Sequence, residues 1–208
     1  QLKADPEYWS KDKVILLISF VSKIGFHNWS QVIKKAKLSC NEEEAKAVIR
    51  VVIGLVLFKD ETKENYILND LYKSLESKSS ASFETLFKKQ KKRELKSLCL
   101  NEDSLRMKRF EILFCLQQMI ETCPSVPEEI IVPELEIETP AIWWEKKHDQ
   151  QLLLFAYDKG AINFDKMRFE DHPDEIIPKK SLSSRFSTIM TNTINRYSEC
   201  LINNIYLL

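Results

Sequence analysis

The apolar residues near the start of the chain recur with the spacing of an α-helix. In segment 7–25 the residues that share this spacing are Trp9, Leu16, Leu17, Phe20 and Ile24, with the aliphatic stem of Lys13. Ser10 precedes the pattern and Gly25 follows it, and these residue types are typical of a helix N-terminus and a helix C-terminus. The pattern therefore predicts a helix that ends at Gly25.

Two further helices are predicted before residue 59. A short helix begins near Asn28 and carries Trp29, Val32 and Ile33. A third begins at about Asn41, whose side chain caps it, and its first turn holds Glu42, Glu43 and Glu44, where the helix dipole favours anions. Its apolar positions are Ala45, Val48, Ile49, Val52 and Leu55, and they continue through Phe58.

The first segment is repeated in outline 135 positions later. The residues that coincide after this shift include Trp9 with Trp144, Phe20 with Phe155, Gly25 with Gly160, and Trp29 with Phe164. A third helix again follows, from Ser181 to about Ile202, and its predicted buried residues are Leu182, Phe186, Ile189, Met190, Thr193 and Ile194. We interpret the chain as two divergent copies of a three-helix unit, and we expect the six aromatic residues to form their cores.

Three different stretches separate the copies. Residues 60–100 are polar and contain the basic run KKQKKRELK, and residues 104–121 predict an amphipathic spacer helix. Residues 124–140 hold four prolines and five glutamates with no basic residue, which predicts an extended acidic strap along the surface. The predicted segments are a unit over 1–59, an insert with the spacer helix over 60–123, the strap over 124–143 and a second unit over 144–208.

Composition supports helices and argues against several kinds of site. Only three of the 208 residues are glycine, too few for a β-rich fold with many tight turns or for a phosphate-binding loop. The five cysteines are scattered without a Cys-x-x-Cys pair, so we expect no zinc site and a reducing intracellular compartment. No apolar run is long enough for a membrane span. Because the chain begins at Gln1, we expect it to be a piece of a longer protein.

We predict no catalytic residue, no metal, no cofactor and no small-molecule substrate. The pair His148-Asp149 invites comparison with a catalytic dyad, but no nucleophile lies near it in sequence. Its helical position beside Trp144 favours a capping or surface role.

The motif residues resemble a known family. The spacing Trp9…Gly25…Trp29 resembles a Myb/SANT repeat, and Trp143-Trp144…His148-Asp149…Leu152-Leu153…Gly160 resembles the SLIDE-like unit of chromodomain-helicase (CHD) chromatin remodellers. Residues 109–113 are similar to the spacer helix of the same region. The resemblance implies an all-α fold of two Myb/SANT-like units. It also implies a nuclear, non-catalytic accessory module that binds linker DNA or nucleosomes beside an ATP-driven motor.

Charge is segregated along a chain whose net charge is zero. Residues 1–59 carry a net charge of +4, the strap carries −5, and residues 144–208 are neutral, although SLIDE units are typically basic. Only clustered basic residues can bind phosphate by releasing counterions. The predicted DNA-binding residues are Lys34, Lys35 and Lys37; Lys88, Lys89, Lys91, Lys92, Arg93 and Lys96; and Lys179, Lys180, Arg185 and Arg196. Arg185 and Arg196 lie about three helical turns apart, on one side of a helix.

The alternative hypothesis is a protein-docking module. A neutral second unit with an acidic strap suits a polyanion poorly, and it could instead hold a subunit of a chromatin-silencing or histone-deacetylase complex, or a histone tail. The competing interpretation of each basic cluster is an ordinary solvated face.

Overall fold

The computed structural model describes residues 9–57, 65–76, 86–87, 103–122, 130–135 and 137–202. Within these ranges the chain is helical and contains no strand, apart from an isolated bridge between Phe169 and His172, so the predicted all-α class is confirmed. The described α-helices are α1 (Lys11–Ile24), α2 (Trp29–Ala36), α3 (Glu42–Leu57), α4 (Tyr66–Ser74), α5 (Asp103–Glu121), α6 (Lys146–Lys159) and α7 (Lys179–Ile202). A 3-10 helix, Ala161–Lys166, follows α6.

The chain forms two compact units. The first comprises Gln1–Ser22 and Phe26–Phe110, and the second comprises Lys23–Gly25 and Glu111–Leu208. Helices α2, α3 and α4 belong to the first unit, and α6, the 3-10 helix and α7 belong to the second.

Side chains at the predicted positions cap the helices of the first unit. The Ser10 Oγ accepts a hydrogen bond from the Lys13 N–H at 3.3 Å, and the Asn28 Oδ1 accepts one from the Gln31 N–H at 3.0 Å. Asn41 and Glu44 form a reciprocal capping box at the start of α3, in which each side chain accepts from the other's backbone N–H. These caps satisfy backbone donors that would otherwise lack partners, and the predicted starts of α1, α2 and α3 are confirmed.

Helix α2 ends in a left-handed residue that is not glycine. Lys37 has φ 52°, and its N–H donates to the Lys34 carbonyl at 3.2 Å, while the Leu38 N–H donates to the Ile33 carbonyl at 3.2 Å. This pair of bonds is the Schellman arrangement, which satisfies the last carbonyls of the helix. Lys34 and Lys35 lie in the last turn of α2, and Lys37 follows directly as its C-terminal cap.

The core of the first unit is built around Trp29 and Phe26. Trp9 and Trp29 are buried, and the Phe26 ring lies 6.1 Å from the Trp29 ring and 5.2 Å edge-on from that of Phe110. The predicted apolar face of α1 was partly wrong, because Leu16 is 44% exposed and Phe20 is half-buried. The buried residues of α1 are Val14, Leu17, Ile18 and Val21.

In the second unit, α6 and α7 pack against each other and against the 3-10 helix. Leu152 and Leu153 of α6 are fully buried, and the Phe164 ring lies 5.6 Å edge-on from that of Phe186. Trp144 and Phe164 are buried as predicted, whereas Phe155 is only half-buried, so its assignment to the core is corrected. Leu182, Ile189 and Met190 line the buried side of α7, while the predicted Thr193 and Ile194 are half-buried.

The described part of the acidic strap is anchored to this unit near residue 130. Ile130 and Val132 are buried, and the Gln150 Nε2 of α6 donates a hydrogen bond to the Ile130 carbonyl at 3.0 Å. Ile131, between them, is 75% exposed. The segment 130–135 is non-helical, and it buries Ile130, Val132 and Pro133 rather than lying wholly on the surface.

The first helices of the two predicted copies coincide after the shift of 135 positions. Helices α1 and α6 each contain 14 residues, begin at equivalent lysines and are followed by glycines with positive φ, 97° at Gly25 and 83° at Gly160. The second elements of the two copies differ. The first unit has the eight-residue α-helix α2 at this point, and the second unit has a six-residue 3-10 helix. The Myb/SANT identity of the two units stays a prediction.

Candidate functional site

A buried ion pair ties α6 to α7. The Arg185 guanidinium donates two hydrogen bonds to Asp149, from Nε to Oδ1 at 2.8 Å and from Nη2 to Oδ2 at 2.6 Å. The Trp144 indole N–H donates to the same Oδ1 at 2.9 Å. Asp149 and Arg185 are only 3% and 7% exposed, so the pair is shielded from water. Three donors from two residues thus hold one carboxylate in place.

Arg185 is therefore corrected as a DNA-binding residue. Its guanidinium is buried against Asp149 and cannot reach a phosphate without breaking the ion pair, although no residue in the described ranges hydrogen-bonds its Nη1. The sequence contained a signal for this burial. Arg185 lies three residues after Leu182 and four before Ile189, both fully buried, so helical spacing places it on the apolar side of α7.

His148 has a fixed role at the start of α6. Its Nδ1 accepts a hydrogen bond from the Glu145 N–H at 2.8 Å, and its Nε2 lies 3.0 Å from the Asp171 Oδ2. Because a backbone N–H can only donate, we assign the ring proton to Nε2, which then donates to Asp171. The predicted capping or surface role is confirmed for His148 as a cap, and it is wrong for Asp149, which is buried in the ion pair with Arg185.

Asp171 is held by two donors at once. The Lys147 Nζ lies 2.7 Å from its Oδ2, and His148 contributes the second contact. The hydrogen bond from Lys147, and then that from His148, hold the pKa of this carboxyl well below its usual range. Asp171 is therefore ionised at neutral pH and fixes the loop 169–172 to the start of α6.

His148, Asp171 and His172 have the composition of a metal site but not its chemistry. One possible ligand atom from each lies within 4.8 Å of the others. The Nε2 of His148 carries a proton in the tautomer assigned above, so it offers no lone pair to a cation. The Asp171 carboxylate is also already paired with the Lys147 ammonium. We interpret His148 and Asp171 as a structural hydrogen-bonded pair beside which His172 lies.

Trp143 packs against His172 beside these residues. Its indole stacks on the His172 imidazole with ring centres 3.9 Å apart and 14° between the planes. The Trp143 N–H donates to the Glu175 Oε2 at 2.5 Å. Trp143 is half-buried, whereas Trp144 beside it is buried. Nothing in the local sequence pattern indicated that residues 143, 172 and 175 would meet, since the contact depends on the loop before α7.

The first predicted basic cluster lies on the surface of the first unit. Lys34, Lys35 and Lys37 are exposed, and within the described ranges none of them takes part in an ion pair. No acidic residue occurs between Asn28 and Asn41. By contrast, the exposed first turn of α3 carries Glu42, Glu43 and Glu44, which would repel phosphate.

The basic residues of α7 do not form one face. Lys179, Lys180 and Arg196 are exposed, and Lys179 lies 3.6 Å from Asp165. Lys180 and Arg196 are separated by roughly 24 Å along the axis and lie on nearly opposite sides of the helix. Arg196 shares the side of Arg185, as predicted, but only Arg196 is exposed. Lys88, Lys89, Lys91, Lys92, Arg93 and Lys96 lie outside the described residues.

The two described free thiols are poor nucleophiles. Burial, with a smaller contribution from Glu44, raises the pKa of Cys40 to about 11. Burial, with a smaller contribution from Glu111, raises the pKa of Cys115 to about 12. Both thiols are therefore protonated at neutral pH and lack the thiolate that covalent catalysis needs.

No family model, curated protein or solved structure matches this chain. Among the described residues, no helix combines the length and the apolar character that crossing a membrane requires.

Proposed function

We propose that this chain is a non-catalytic accessory module that binds duplex DNA through its phosphates, without reading sequence. The resemblance of its motifs to CHD remodellers supports a place beside an ATP-driven motor in the nucleus, with linker DNA or the nucleosome as the ligand. The proposal depends most on one observation, the exposed trio Lys34, Lys35 and Lys37 at the end of α2, which forms no ion pair with any residue that the structure describes.

Phosphate binding is the chemistry that this trio suits. Three ammonium groups within four residues can displace counterions from neighbouring phosphates, and lysine acts there as a point charge with little base specificity. The glutamates at the start of α3 disfavour insertion of that helix end into a groove. Lys180 and Arg196 add exposed positive charge in the second unit.

The test is a titration of a fluorescein-labelled duplex followed by anisotropy between about 50 and 200 mM salt. We expect binding that weakens steeply as salt rises. The variant K34Q/K35Q/K37Q should bind several-fold more weakly, and its salt dependence should fall by about one unit for each lost phosphate contact.

A charge-matched variant provides the control. Lys46, Lys73 and Lys159 each lie within reach of a carboxylate, of Glu43, Asp70 and Asp158 respectively. The variant K46Q/K73Q/K159Q should therefore bind DNA nearly as the native chain does. An absence of native binding at low salt, or equal losses in the two triple variants, would contradict the proposal.

A further inference from the structure

Ser39 lies in the short connector between α2 and α3. Residues 38–41 are non-helical, and the Ser39 side chain is exposed. Its hydroxyl makes no hydrogen bond with any residue that the structure describes. Ser10, the other serine that the described ranges place outside a helix, caps α1 through its Oγ. The Ser39 hydroxyl is therefore accessible, and the described contacts of the fold do not use it.

The connector begins against the last turn of α2. The Leu38 N–H donates a hydrogen bond to the Ile33 carbonyl at 3.2 Å, and Ser39 follows Leu38 directly. Because two residues span at most about 7 Å, the Cα of Ser39 lies within that distance of the Cα of Lys37. The Debye length is about 10 Å at 0.1 M salt. A charge introduced at Ser39 therefore changes the electrostatic field at the end of α2.

The residues that follow the connector are acidic. Glu42, Glu43 and Glu44 are exposed and begin at the third position after Ser39. The spacing Ser-x-x-Glu can also mark a capping box, but here Asn41 caps α3. A protein kinase with a basic substrate-binding cleft selects serines that carboxylates follow at this spacing, because the charges are complementary. Ser39 thus combines an accessible hydroxyl with the acidic residues that such a kinase binds.

We infer that Ser39 is phosphorylated by an acid-directed protein kinase, and that its phosphate weakens DNA binding by Lys34, Lys35 and Lys37. The second part rests on the proposed function. The Ser39 Oγ attacks the γ-phosphorus of ATP, the bond from that phosphorus to the bridging oxygen breaks, ADP leaves, and the hydroxyl proton passes to a carboxylate of the kinase. The phosphate adds a charge of about −1.5 to −2 beside three ammonium groups, and it repels the phosphates of DNA.

The first measurement is the mass of the full chain after incubation with a purified acid-directed casein kinase, Mg²⁺ and ATP. In the sequence, a carboxylate follows three positions after a serine or threonine at Ser39 and Ser125 alone, so the variant S125A isolates Ser39. We expect S125A to gain a single phosphate that peptide mapping locates at Ser39, and S39A/S125A to gain none. The matched control is S30A/S125A, since Ser30 is exposed in α2 and Ile33 stands three positions later. It should be phosphorylated as S125A is.

The second measurement is the affinity of S125A for the fluorescein-labelled duplex before and after phosphorylation. At about 50 mM salt the phosphorylated chain should bind about fivefold or more weakly, its affinity should vary less with salt, and phosphatase treatment should restore binding. The variant S39E adds a single charge and should weaken binding less than the phosphate does. The neutral variant S39Q has nearly the size of S39E and should bind as the native chain does.

The inference and the proposed function can fail separately. The absence of phosphate at Ser39 would overturn the inference and leave the DNA proposal intact. Equal affinity of the phosphorylated and unmodified chains, where the unmodified chain binds DNA, would overturn the regulatory role alone. If the unmodified chain bound no DNA at low salt, the proposed function and this regulatory role would both be wrong, and the mass measurement would still decide whether Ser39 is the modification site.

Discussion

At the scale of single residues, Asp149 carries much of the organisation of the second unit. A carboxylate removed from water is costly unless charged and polar donors surround it. Arg185 supplies two such donors and Trp144 supplies a third. The residues that resemble a family motif, Trp144 and Asp149, thus contact each other directly and serve a structural purpose.

Removing Arg185 should destabilise the second unit strongly. The variant R185A leaves Asp149 buried without its counter-charge, and we expect a loss of about 3–5 kcal/mol in the free energy of unfolding. Urea denaturation measures it. The matched control is R196A, since Arg196 is exposed on the same helix and its loss should cost less than about 0.5 kcal/mol. A cost below about 1 kcal/mol for R185A would contradict this role.

Asp171 should make stability depend on pH in the acid range. Its pKa is lowered in the folded chain, so the folded state prefers the ionised carboxyl more than the unfolded state does. The stabilisation is therefore complete above the unfolded pKa of about 4 and is lost as pH falls further. Melting temperatures of D171N and the native chain should differ at pH 7 and converge in acid.

The control for this pH dependence is D174N. Asp174 is an exposed carboxylate of the same loop and pairs with no cation among the described residues. Its removal should change the melting temperature little at any pH. If D171N melted with the native chain at pH 7, the contacts from Lys147 and His148 would contribute nothing to stability.

At the scale of elements, local chemistry determined what could be predicted. The starts of α1, α2 and α3 followed from Ser10, Asn28 and Asn41, because a cap depends on a few neighbouring residues. The sequence did not predict the buried face of α1 as well as it predicted the helix starts. Val14, Ile18 and Val21 are buried in place of Leu16, and an all-round apolar helix leaves the choice of face to its tertiary neighbours.

The end of α2 can be stabilised by a single substitution. Lys37 adopts a left-handed conformation that costs a residue with a Cβ about 1 kcal/mol, and glycine avoids this cost. We expect K37G to raise the free energy of unfolding by about 0.5–1 kcal/mol, measured by urea denaturation. K35G, inside the same helix, should lower it by a similar amount, since glycine is a poor helix former. A K37G variant less stable than the native chain would contradict the Schellman assignment.

At the scale of the whole molecule, the sequence predicted the helical class and the matching positions of α1 and α6, but not the contacts that define the second unit. This match was visible because helix spacing and aromatic spacing are properties of the chain itself, while the repeat of a whole three-helix unit stays a prediction. The junction of Trp143 with His172 and Glu175 was not visible, because the loop between the 3-10 helix and α7 brings distant residues together. The burial of Arg185 was predictable from its helical register alone.

The two compact units differ in the chemistry that they expose. The described surface of the first includes the lysines at the end of α2, with no acidic residue between Asn28 and Asn41, and that of the second exposes charges of both signs, such as Asp174 and Lys180. The neutral total of 31 basic and 31 acidic residues conceals this difference.

The glycine after α6 has a consequence for how such a chain can diverge. Gly160 has φ 83°, and a Cβ there would lie 2.7 Å from the Lys23 carbonyl oxygen, so neither a side chain nor a shifted position is tolerated. Trp144 and Phe164 stand 20 residues apart around it, as Trp9 and Trp29 do around Gly25. An insertion or a deletion between Trp144 and Phe164 would move another residue into the place of Gly160 and is therefore harmful, whereas substitutions at the exposed positions of α6 leave this contact unchanged. Proteins that diverge from such a chain would therefore keep the number of residues between these aromatic positions and the glycine longer than they keep the identities of the exposed residues.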